Sequence, residues 1–496
     1  MARPTPPPAP LPRAPASVPL PAGFRLVLDR STRVLDGGRA LVGGTPLRLV
    51  RLGPEAARLA ATWLHGEPVE GSERARLVAR RLVATGIVHP RPGGLGPAEE
   101  QVTVVVPVRD RPAQLERLLR ALGRLQVVVV DDASAEPELV RRVAARAGAR
   151  FLALGHRSGP AGARNAGLAV ARSELVAFVD SDCTPCPGWL GPLLAHFDDP
   201  LVAAVAPRVV AGPPTGREWL DRYELARSPL DRGPHEGVVA PGSAVHFVPA
   251  AALVVRRAAV GQRCFDESLA RGEDVDFVWR LANAGWSVRY VPASRVLHEP
   301  RPTLGGWLAQ RAGYGASTGP LARRYGRSLA PASVPGWTAG ALGLAAWRRP
   351  AGALAVIGGA TALLARRLAT VTDHPVREAA RLTVPGTVRA ALPLWGGSIR
   401  TLAPAALLAL ASRRLRRAGA AALFVPAVAD WVVARPALDP VRYALCHVAD
   451  DLAHACGIWA GCVAARTLRP ALPSLSFTTV TRHGSPRPAE APPGRR

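Results

Sequence analysis

Residues 175–182 read Leu-Val-Ala-Phe-Val-Asp-Ser-Asp, an apolar run that ends in two acids separated by a serine. Five consecutive apolar residues predict a strand that is covered on both faces, as in a sheet that lies between helices. In such sheets, ligands bind outside the carboxyl ends of the strands. We therefore expect a ligand site here, in which one of the carboxylates of Asp180 and Asp182 can face a ribose and the other can hold a divalent cation such as Mg²⁺ or Mn²⁺.

Strands and helices alternate on the amino-terminal side of this run. Apolar runs at Val102–Val108 and 127–130 predict two further strands. Pro112–Leu122 and 137–147 carry apolar residues at helical spacing. This alternation predicts an α/β fold over 101–300, with a doubly wound sheet of parallel strands.

Polar residues follow each of the two earlier strands. Pro107 and Arg109 lie at the end of the first strand, where the next loop can meet a nucleotide base. Asp131 and Asp132 follow the second strand, and two adjacent acids repel each other unless they have partners. We expect them to hydrogen-bond a uracil N–H or a ribose hydroxyl, with helix capping as the alternative.

Residues 159–168 read Gly-Pro-Ala-Gly-Ala-Arg-Asn-Ala-Gly-Leu and open a predicted helix. Glycine lets the backbone approach a ligand closely. An arginine one helical turn further on, Arg164, can reach a base or a diphosphate.

Residues 272–281 read Gly-Glu-Asp-Val-Asp-Phe-Val-Trp-Arg-Leu and begin another helix with an acidic first turn. The helix dipole favours acids there, so capping is one interpretation. The functional interpretation makes Asp274 a general base towards a hydroxyl group, with Glu273 as its partner. His298 ends a predicted strand that should return to the cation, and we expect it to bind the metal or a phosphate.

Composition excludes several classes of protein. The 496 residues carry a formal charge of +26, but all 63 basic residues are arginines scattered along the chain and rarely interleaved with aromatics, so we expect no nucleic acid partner. Six cysteines do not form a disulfide framework in a chain of this length. The Pro-rich N-terminus lacks the apolar core of a signal peptide, which predicts a cytoplasmic protein.

Alanine and leucine dominate the region 330–470, where arginine pairs separate apolar runs. The run 351–365 is shorter than the ~20 residues that span a bilayer, and the run 418–434 contains Pro426 and Asp430. We expect these helices to lie on or partly in the membrane interface, so that the protein associates with the cell membrane. True spans and an ordinary soluble bundle are the alternatives.

One polar stripe stands out in that region. His447, Asp451 and His454 share one face of a predicted helix, together with Asp450. Three such side chains can bind a metal. The simpler interpretation is the polar face of a packed helix.

The motifs over 100–315 resemble family 2 glycosyltransferases of the GT-A fold. The matching pieces are Val-Pro-Val-Arg-Asp, Val-Asp-Asp-Ala-Ser, Ala-Arg-Asn-Ala-Gly-Leu, Asp-Ser-Asp and Gly-Glu-Asp-Val-Asp-Phe. The resemblance implies a nucleotide-diphosphate sugar as donor and transfer with inversion in one displacement. It also implies that Asp132 faces the nucleotide base, that Arg164 helps to hold the nucleotide and that Asp180 faces the ribose. By the same resemblance, Asp182 binds the metal and Asp274 is the general base. The Gln-x-x-Arg-Trp motif of processive members is absent as such; Gln-Arg-Ala-Gly-Tyr occupies 310–314.

The flank at 19–92 resembles the small peptide-recognition domains of ribosomally made peptide pathways, and a scaffold without a ligand is the alternative. The whole arrangement resembles the glycosyltransferases of mycofactocin systems, which glucosylate a peptide-derived redox cofactor. The expected parts are a disordered segment (1–18), the small α+β domain (19–92), the GT-A domain (98–325), the helical region (330–470) and a disordered tail (476–496).

We therefore predict a metal-dependent hexosyltransferase with UDP-glucose as the expected donor and a small peptide-derived acceptor. One alternative is a cell-envelope enzyme that glycosylates a polysaccharide or polyprenyl phosphate. Another is a peptide-binding scaffold with a vestigial nucleotide site.

Overall fold

The computed structural model describes residues 10–44, 46–213, 218–330, 333–370 and 372–476. Residues 1–9 and 477–496, which belong to the two segments predicted to be disordered, lie outside the described residues.

The described part of the N-terminal segment lies against the large sheet domain. Trp286 Nε1 donates to the carbonyl of Pro12 at 2.7 Å, and the amide of Ala14 donates to the carbonyl of Ala284 at 2.9 Å. Pro12 and Ala14 thus have hydrogen-bond partners in the sheet domain. The disorder expected from the Pro/Ala-rich composition of 1–18 stays a prediction.

A small N-terminal module follows. Its elements are β1 (Arg25–Leu28), β2 (Arg33–Leu35), β3 (Ala40–Gly43), β4 (Arg48–Arg51), α1 (Pro54–Leu64), α2 (Glu73–Ala84) and β5 (Val88–Arg91). Strand β1 pairs with β5, and β2, β3 and β4 form an antiparallel sheet. Apolar side chains such as Phe24, Trp63 and Leu82 fill its core.

A nine-stranded sheet forms the centre of the molecule. Its strands are β6 (Val102–Val108), β7 (Gln126–Asp131), β8 (Arg150–Ala153), β9 (Leu175–Val179), β10 (Cys183–Pro185), β11 (Val202–Ala211), β12 (Gly237–Val238), β13 (Ala252–Arg256) and β14 (Ser287–His298). The helices are α3 (Pro112–Leu122), α4 (Pro137–Arg146), α5 (Gly159–Val170), α6 (Gly191–Leu194), α7 (Glu218–Arg227), α8 (Arg257–Val260) and α9 (Glu273–Asn283).

The sheet is mixed, which corrects the expectation of a wholly parallel one. The order is β10-β14-β11-β13-β9-β6-β7-β8, and β12 pairs with β14. Strands β6, β7, β8 and β9 are parallel, but β13 runs antiparallel to both β9 and β11. Parallel neighbours need a crossover connection, which α3 supplies between β6 and β7, whereas the longer connections around β13 leave its direction open.

Alternate residues of the central strands enter two separate cores. Val105, Val130 and Phe178 belong to one face of the sheet, and Val104 and Val129 belong to the other. Because both faces are covered, the strands are continuous apolar runs and their polar residues are confined to the strand ends. The strand ends are therefore the places where the sheet can present chemistry.

Six further helices follow the sheet within the described residues. They are α10 (Leu304–Tyr325), α11 (Gly336–Ala346), α12 (Pro350–Leu368), α13 (Pro375–Ala409), α14 (Arg416–Ala434) and α15 (Pro440–Ala465), and two short strands, β15 (Ser333–Pro335) and β16 (Ser474–Ser476), pair in parallel. Helices α12 and α14 have 19 residues each and are long and apolar enough to cross a membrane by length and composition. Only 22% and 17% of their apolar windows are buried, so most of each window is exposed.

Helices α10 and α15 cross with their backbones in contact. A Cβ atom at Gly457 would lie 1.9 Å from the carbonyl oxygen of Ala312, and one at Gly315 would lie 2.1 Å from that of His454. Both distances are far below van der Waals contact. The glycines therefore fix α15 tightly against α10, the first helix after the sheet.

The N-terminal module touches both other parts of the chain. Arg80 donates to both carboxylate oxygens of Asp199 at 2.6 Å, which ties α2 to the sheet domain. Arg33 pairs with Glu378 of α13 at 2.8 Å. The module thus contacts the sheet domain on one side and the C-terminal helices on another.

Candidate active site

A cavity of about 1390 Å³ opens at the carboxyl ends of β6, β7 and β9. Nine of the ten site residues expected from the sequence line it: Pro107, Arg109, Asp132, Arg164, Asp180, Asp182, Glu273, Asp274 and His298. Pockets for small ligands usually measure about 300–1,000 Å³, so this one has room for more than one small molecule.

Asp131 is the expected residue that does not line the cavity. Its side chain is buried, and its carboxylate accepts a hydrogen bond from the hydroxyl of Ser134. Between them Ala133 has a φ of 55°, so the chain turns sharply here. Asp131 therefore stabilises the turn after β7, and its expected contact with a nucleoside stays a prediction.

Asp132 reaches across to the start of α5. Its carboxylate accepts the amide N–H of Ser158 at 2.6 Å and that of Gly159 at 3.0 Å. Carboxylates are stabilised at a helix N-terminus because unpaired amides and the helix dipole point at them. The capping interpretation thus describes the contacts of Asp132, although the residue also lines the cavity.

Arg164 joins the two acidic motifs of the site. One guanidinium nitrogen donates to Asp180 at 2.6 Å, and another donates to Glu273 at 2.9 Å. Burial lowers the pKa of Arg164, but the carboxylates of Asp180 and Glu273 outweigh it and raise the pKa above its ordinary value. Arg164 was expected to hold the nucleotide; here its two terminal nitrogens bind protein carboxylates and fix the end of β9 against α9.

Asp182 and His298 come together because β10 pairs with β14. Cys183 lies opposite His298 in that ladder, and His298 Nε2 is 3.7 Å from Asp182 Oδ1. The predicted return of the strand to Asp182 is thus present in the structure. A role for the pair in binding metal stays a prediction.

Two arginines that the sequence motifs did not single out also lie beside Asp182. Arg111 donates a hydrogen bond to Asp182, and Arg301 lies 3.5 Å from the same carboxylate. Burial raises the pKa of Asp182, but the charges of His298, Arg111 and Arg301 outweigh it and hold the pKa below its usual value. The positions of both arginines, one just after β6 and one just after β14, were the signal that could have revealed them.

Asp274 occupies the first turn of α9 on the wall of the same cavity. Gly272 precedes the helix with a φ of 83°, a conformation that glycine adopts without strain. Burial, and then the neighbouring charge of Glu273, raise the pKa of Asp274 to about 7. A carboxylate with such a pKa can accept a proton near neutral pH.

The residues around Asp182 fit a divalent cation that takes part of its shell from a ligand. Within the described residues, no group of three or more His, Cys, Asp and Glu side chains is arranged to hold a metal. Asp182 and His298 supply an oxygen and a nitrogen, and Mg²⁺ or Mn²⁺ commonly takes its remaining ligands from water and phosphate.

The opposite wall of the cavity is built by α7 and the C-terminal helices. Arg227 of α7 donates to Asp430 of α14 at 2.7 Å, and Arg400 of α13 lies 3.1 Å from Asp451 of α15. His447 lies 3.4 Å from Asp451 and 3.9 Å from Asp430. The polar stripe of α15 thus lines the cavity and also pairs with charged groups of the neighbouring helices.

Several known proteins have sequences similar to this chain. The model of "Glycosyl transferase family 2" matches residues 103–261. A pre-mycofactocin glycosyltransferase of Mycobacterium tuberculosis (strain ATCC 25618 / H37Rv) is 40% identical over 471 residues, which cover 92% of this chain and 98% of that protein. The succinoglycan biosynthesis protein ExoO of Rhizobium meliloti (strain 1021) is 35% identical over 157 residues, 30% of this chain and 45% of that protein.

Among solved structures, the mannosyltransferase PcManGT from Pyrobaculum calidifontis in complex with GDP-Man and Mn²⁺ matches 60% of this chain and 88% of its own, at 19% identity and a TM-score of 0.34. The family match, together with the mixed sheet described above, confirms the α/β GT-A fold expected from the sequence.

Proposed function

We infer the function from the family to which the chain belongs, the pre-mycofactocin glycosyltransferases within glycosyltransferase family 2. As a member it is a glycosyltransferase of mycofactocin biosynthesis. We propose that it moves a hexose, with glucose as the expected sugar and UDP-glucose as the expected donor, to a hydroxyl of a peptide-derived redox cofactor. The reaction inverts the configuration at the sugar.

One observation carries this proposal: Arg164 binds Asp180 and Glu273 together, so the base candidate Asp274 faces the same cavity as Asp182. Asp274 takes the proton of the acceptor hydroxyl as its oxygen bonds to the anomeric carbon. The bond from that carbon to the diphosphate breaks at the same time, and the diphosphate leaves with the electron pair. A direct displacement of this kind inverts the carbon.

The leaving diphosphate carries negative charge that the site must balance. Arg111 and Arg301, now at Asp182, can turn to the phosphate oxygens, which guanidinium groups bind well. A divalent cation, Mg²⁺ or Mn²⁺, would be held by Asp182 and His298 and would supply further charge neutralisation at the diphosphate.

A second candidate function rests on α12 and α14. Their exposed apolar windows favour association with the cell membrane of a cytoplasmic protein, and such a protein could glycosylate a polyprenyl phosphate. Flotation with anionic vesicles tests the association. Assays with undecaprenyl phosphate in place of a peptide-derived acceptor test this second function. Peptide recognition by residues 19–92 also stays a prediction.

The variant Asp274→Asn tests the proposed mechanism. Loss of a general base lowers rates by about 10²–10⁴-fold, whereas donor affinity should change little because Asp274 acts on the acceptor. Transfer is followed by mass spectrometry and donor binding by calorimetry. Glu138→Gln is the matched control, since Glu138 is an exposed first-turn acid of α4 outside the cavity. Retained transfer by Asp274→Asn would exclude Asp274 as the base.

A further inference from the structure

The cavity continues well past the catalytic acids. Besides the donor edge, it is lined by charged and polar side chains of α7 and the C-terminal helices, among them Arg227, Arg400, Asp430, Asp451 and His454. A donor site that ended at the sheet would not need this second wall. The wall lies in the same cavity as Asp274, where an acceptor hydroxyl would have to be.

The wall is fixed relative to the catalytic residues. Tyr314 of α10 lines the cavity, and α10 holds α15 by the backbone contacts at Gly315 and Gly457. Tyr223 of α7 donates to Asp450 of α15 at 3.1 Å. The helices therefore present their polar groups to the cavity at a defined distance from the sheet, as a binding subsite requires.

Two atoms in this wall retain unused hydrogen-bonding capacity. Asp451 is 5% exposed, and its Oδ1 lies 3.1 Å from Arg400 Nε without the alignment of a hydrogen bond. Among the described residues, neither atom has a hydrogen-bond partner. Buried polar groups without partners are costly, and they often await a ligand or a water molecule.

The pKa values of Asp451 and its neighbour also indicate that Asp451 is incompletely paired. Burial raises the pKa of Asp451 to about 6, although Arg400 and Arg227 oppose this effect. The adjacent Asp450, by contrast, accepts hydrogen bonds from Tyr223 and Arg400. Burial raises the pKa of Asp450, but the charges of Arg311 and Arg400 outweigh burial and hold that pKa below its usual value. Of the two neighbouring acids, the one that lines the cavity is thus the less completely paired.

The chemistry of the wall selects a class of ligand. A carboxylate beside a guanidinium presents a hydrogen-bond acceptor next to a donor, which is complementary to the N–H and C=O of an amide. Ala429, Val433 and Ile458 add apolar surface around this pair. Arg227 pairs with Asp430 and Arg400 pairs with Asp451, so these two ion pairs carry no net charge that would attract a phosphate.

We propose that this wall is the acceptor subsite, and that Asp451 and Arg400 hold an uncharged amide group of the acceptor while its hydroxyl faces Asp274. The inference rests on the proposed function and names the substrate class of that same site. It assigns recognition of the acceptor to the C-terminal helices rather than to the sheet.

The test uses the full-length protein with hydroxyl-bearing probes that contain amides and others that lack them. N-acetyl-tyrosinamide and N-acetyl-serinamide carry hydroxyls next to amides, and 4-methylphenol and ethanol carry the same kinds of hydroxyl without them. Wild type should prefer the probes that contain amides. Asp451→Asn and Arg400→Gln should each raise the KM for these amide probes by about 10-fold or more. The donor KM and the rate of donor hydrolysis should stay the same in both variants. Arg442→Gln is the control, because Arg442 lies on α15 with 69% of its side chain exposed.

A second variant, Val433→Trp, changes the shape of the cavity and leaves the ion pairs of the wall in place. Val433 lines the cavity and is 78% exposed, so Val433→Trp should narrow the chamber without unfolding the protein, and it should show the same selective loss. Circular dichroism checks that each variant is folded. Equal use of probes with and without the amide, a donor KM that rises in parallel, or an unaffected Val433→Trp would overturn the inference. Donor hydrolysis by wild type tests the proposed function separately. Its absence would contradict that function, whereas donor hydrolysis without transfer to either amide probe would overturn this inference alone.

Discussion

The two walls of the cavity are built in different ways. On the donor side, Asp132, Asp180 and Asp182 each follow the carboxyl end of a strand, within one compact stretch of the chain. On the far side, Arg400 and Asp451 come from separate helices and meet only because those helices pack together. A sheet edge therefore collects residues by topology, whereas a helical wall collects them by packing. The first kind of site is readable in sequence, and the second needs the structure.

The largest effect expected on the donor wall is at Asp182. Asp182→Asn removes a carboxylate that we propose holds a cation at the donor diphosphate, so both transfer and donor hydrolysis should fall by roughly 10²–10³-fold, the usual loss when one electrostatic stabiliser is removed. A chelator should reduce wild type to a similar extent and should add little to the variant. Rates are measured by release of the nucleoside diphosphate. Normal hydrolysis in Asp182→Asn would mean that the two walls do not divide the work between donor and acceptor.

An intermediate effect is expected where the helical wall is joined to the sheet domain. Gly457→Ala puts a Cβ atom 1.9 Å from the carbonyl oxygen of Ala312, so α15 must move away from α10. Overpacking of this kind costs about 1–3 kcal/mol of unfolding free energy, and the displaced wall should raise the acceptor KM while the donor KM is preserved. Denaturant unfolding and steady-state kinetics measure the two effects.

The matched control for that variant is Gly359→Ala. Gly359 lies in α12 with no atom near its Cβ position, so alanine there should leave stability unchanged or raise it by up to ~1 kcal/mol through its higher helix propensity. If both glycine variants behave alike, the close contact of α10 with α15 does not hold the wall.

The donor side illustrates how far sequence can go. The bounds of β6, α3 and β9 in the structure are those indicated by the apolar runs and helical spacing, because strands covered on both faces have no polar residue until they end. The direction of β13 was not predictable, since it depends on a partner far away in sequence. Likewise, nothing in the pair Asp131-Asp132 shows that the first acid turns inward to Ser134 and the second to α5.

The far wall shows what could not be predicted from the sequence. The polar stripe with His447, Asp451 and His454 was visible as a helical face, and it had two interpretations, a metal site or a packing face. Its partners Arg227 and Arg400 lie on other helices, and no spacing rule connects them to the stripe. Ion pairs between distant helices depend on how the helices cross. Gly315 and Gly457 set the crossing of α10 and α15, but in the sequence they are recognisable only as small residues.

The smallest expected effect concerns pH, and it tests whether the walls act independently. Asp274 must be ionised to accept a proton, and its pKa is raised to about 7, so kcat/KM should fall about tenfold for each pH unit below that value. Glu273 raises the pKa of Asp274, and Glu273→Gln removes that charge and releases Arg164, so the acidic limb should move to lower pH. Arg400→Gln should leave the limb where it is, since Arg400 belongs to the other wall. A limb that moves in Arg400→Gln would show that charges of the other wall also set the pKa of Asp274. A limb that stays in place in Glu273→Gln would show that burial, and not the charge of Glu273, raises that pKa.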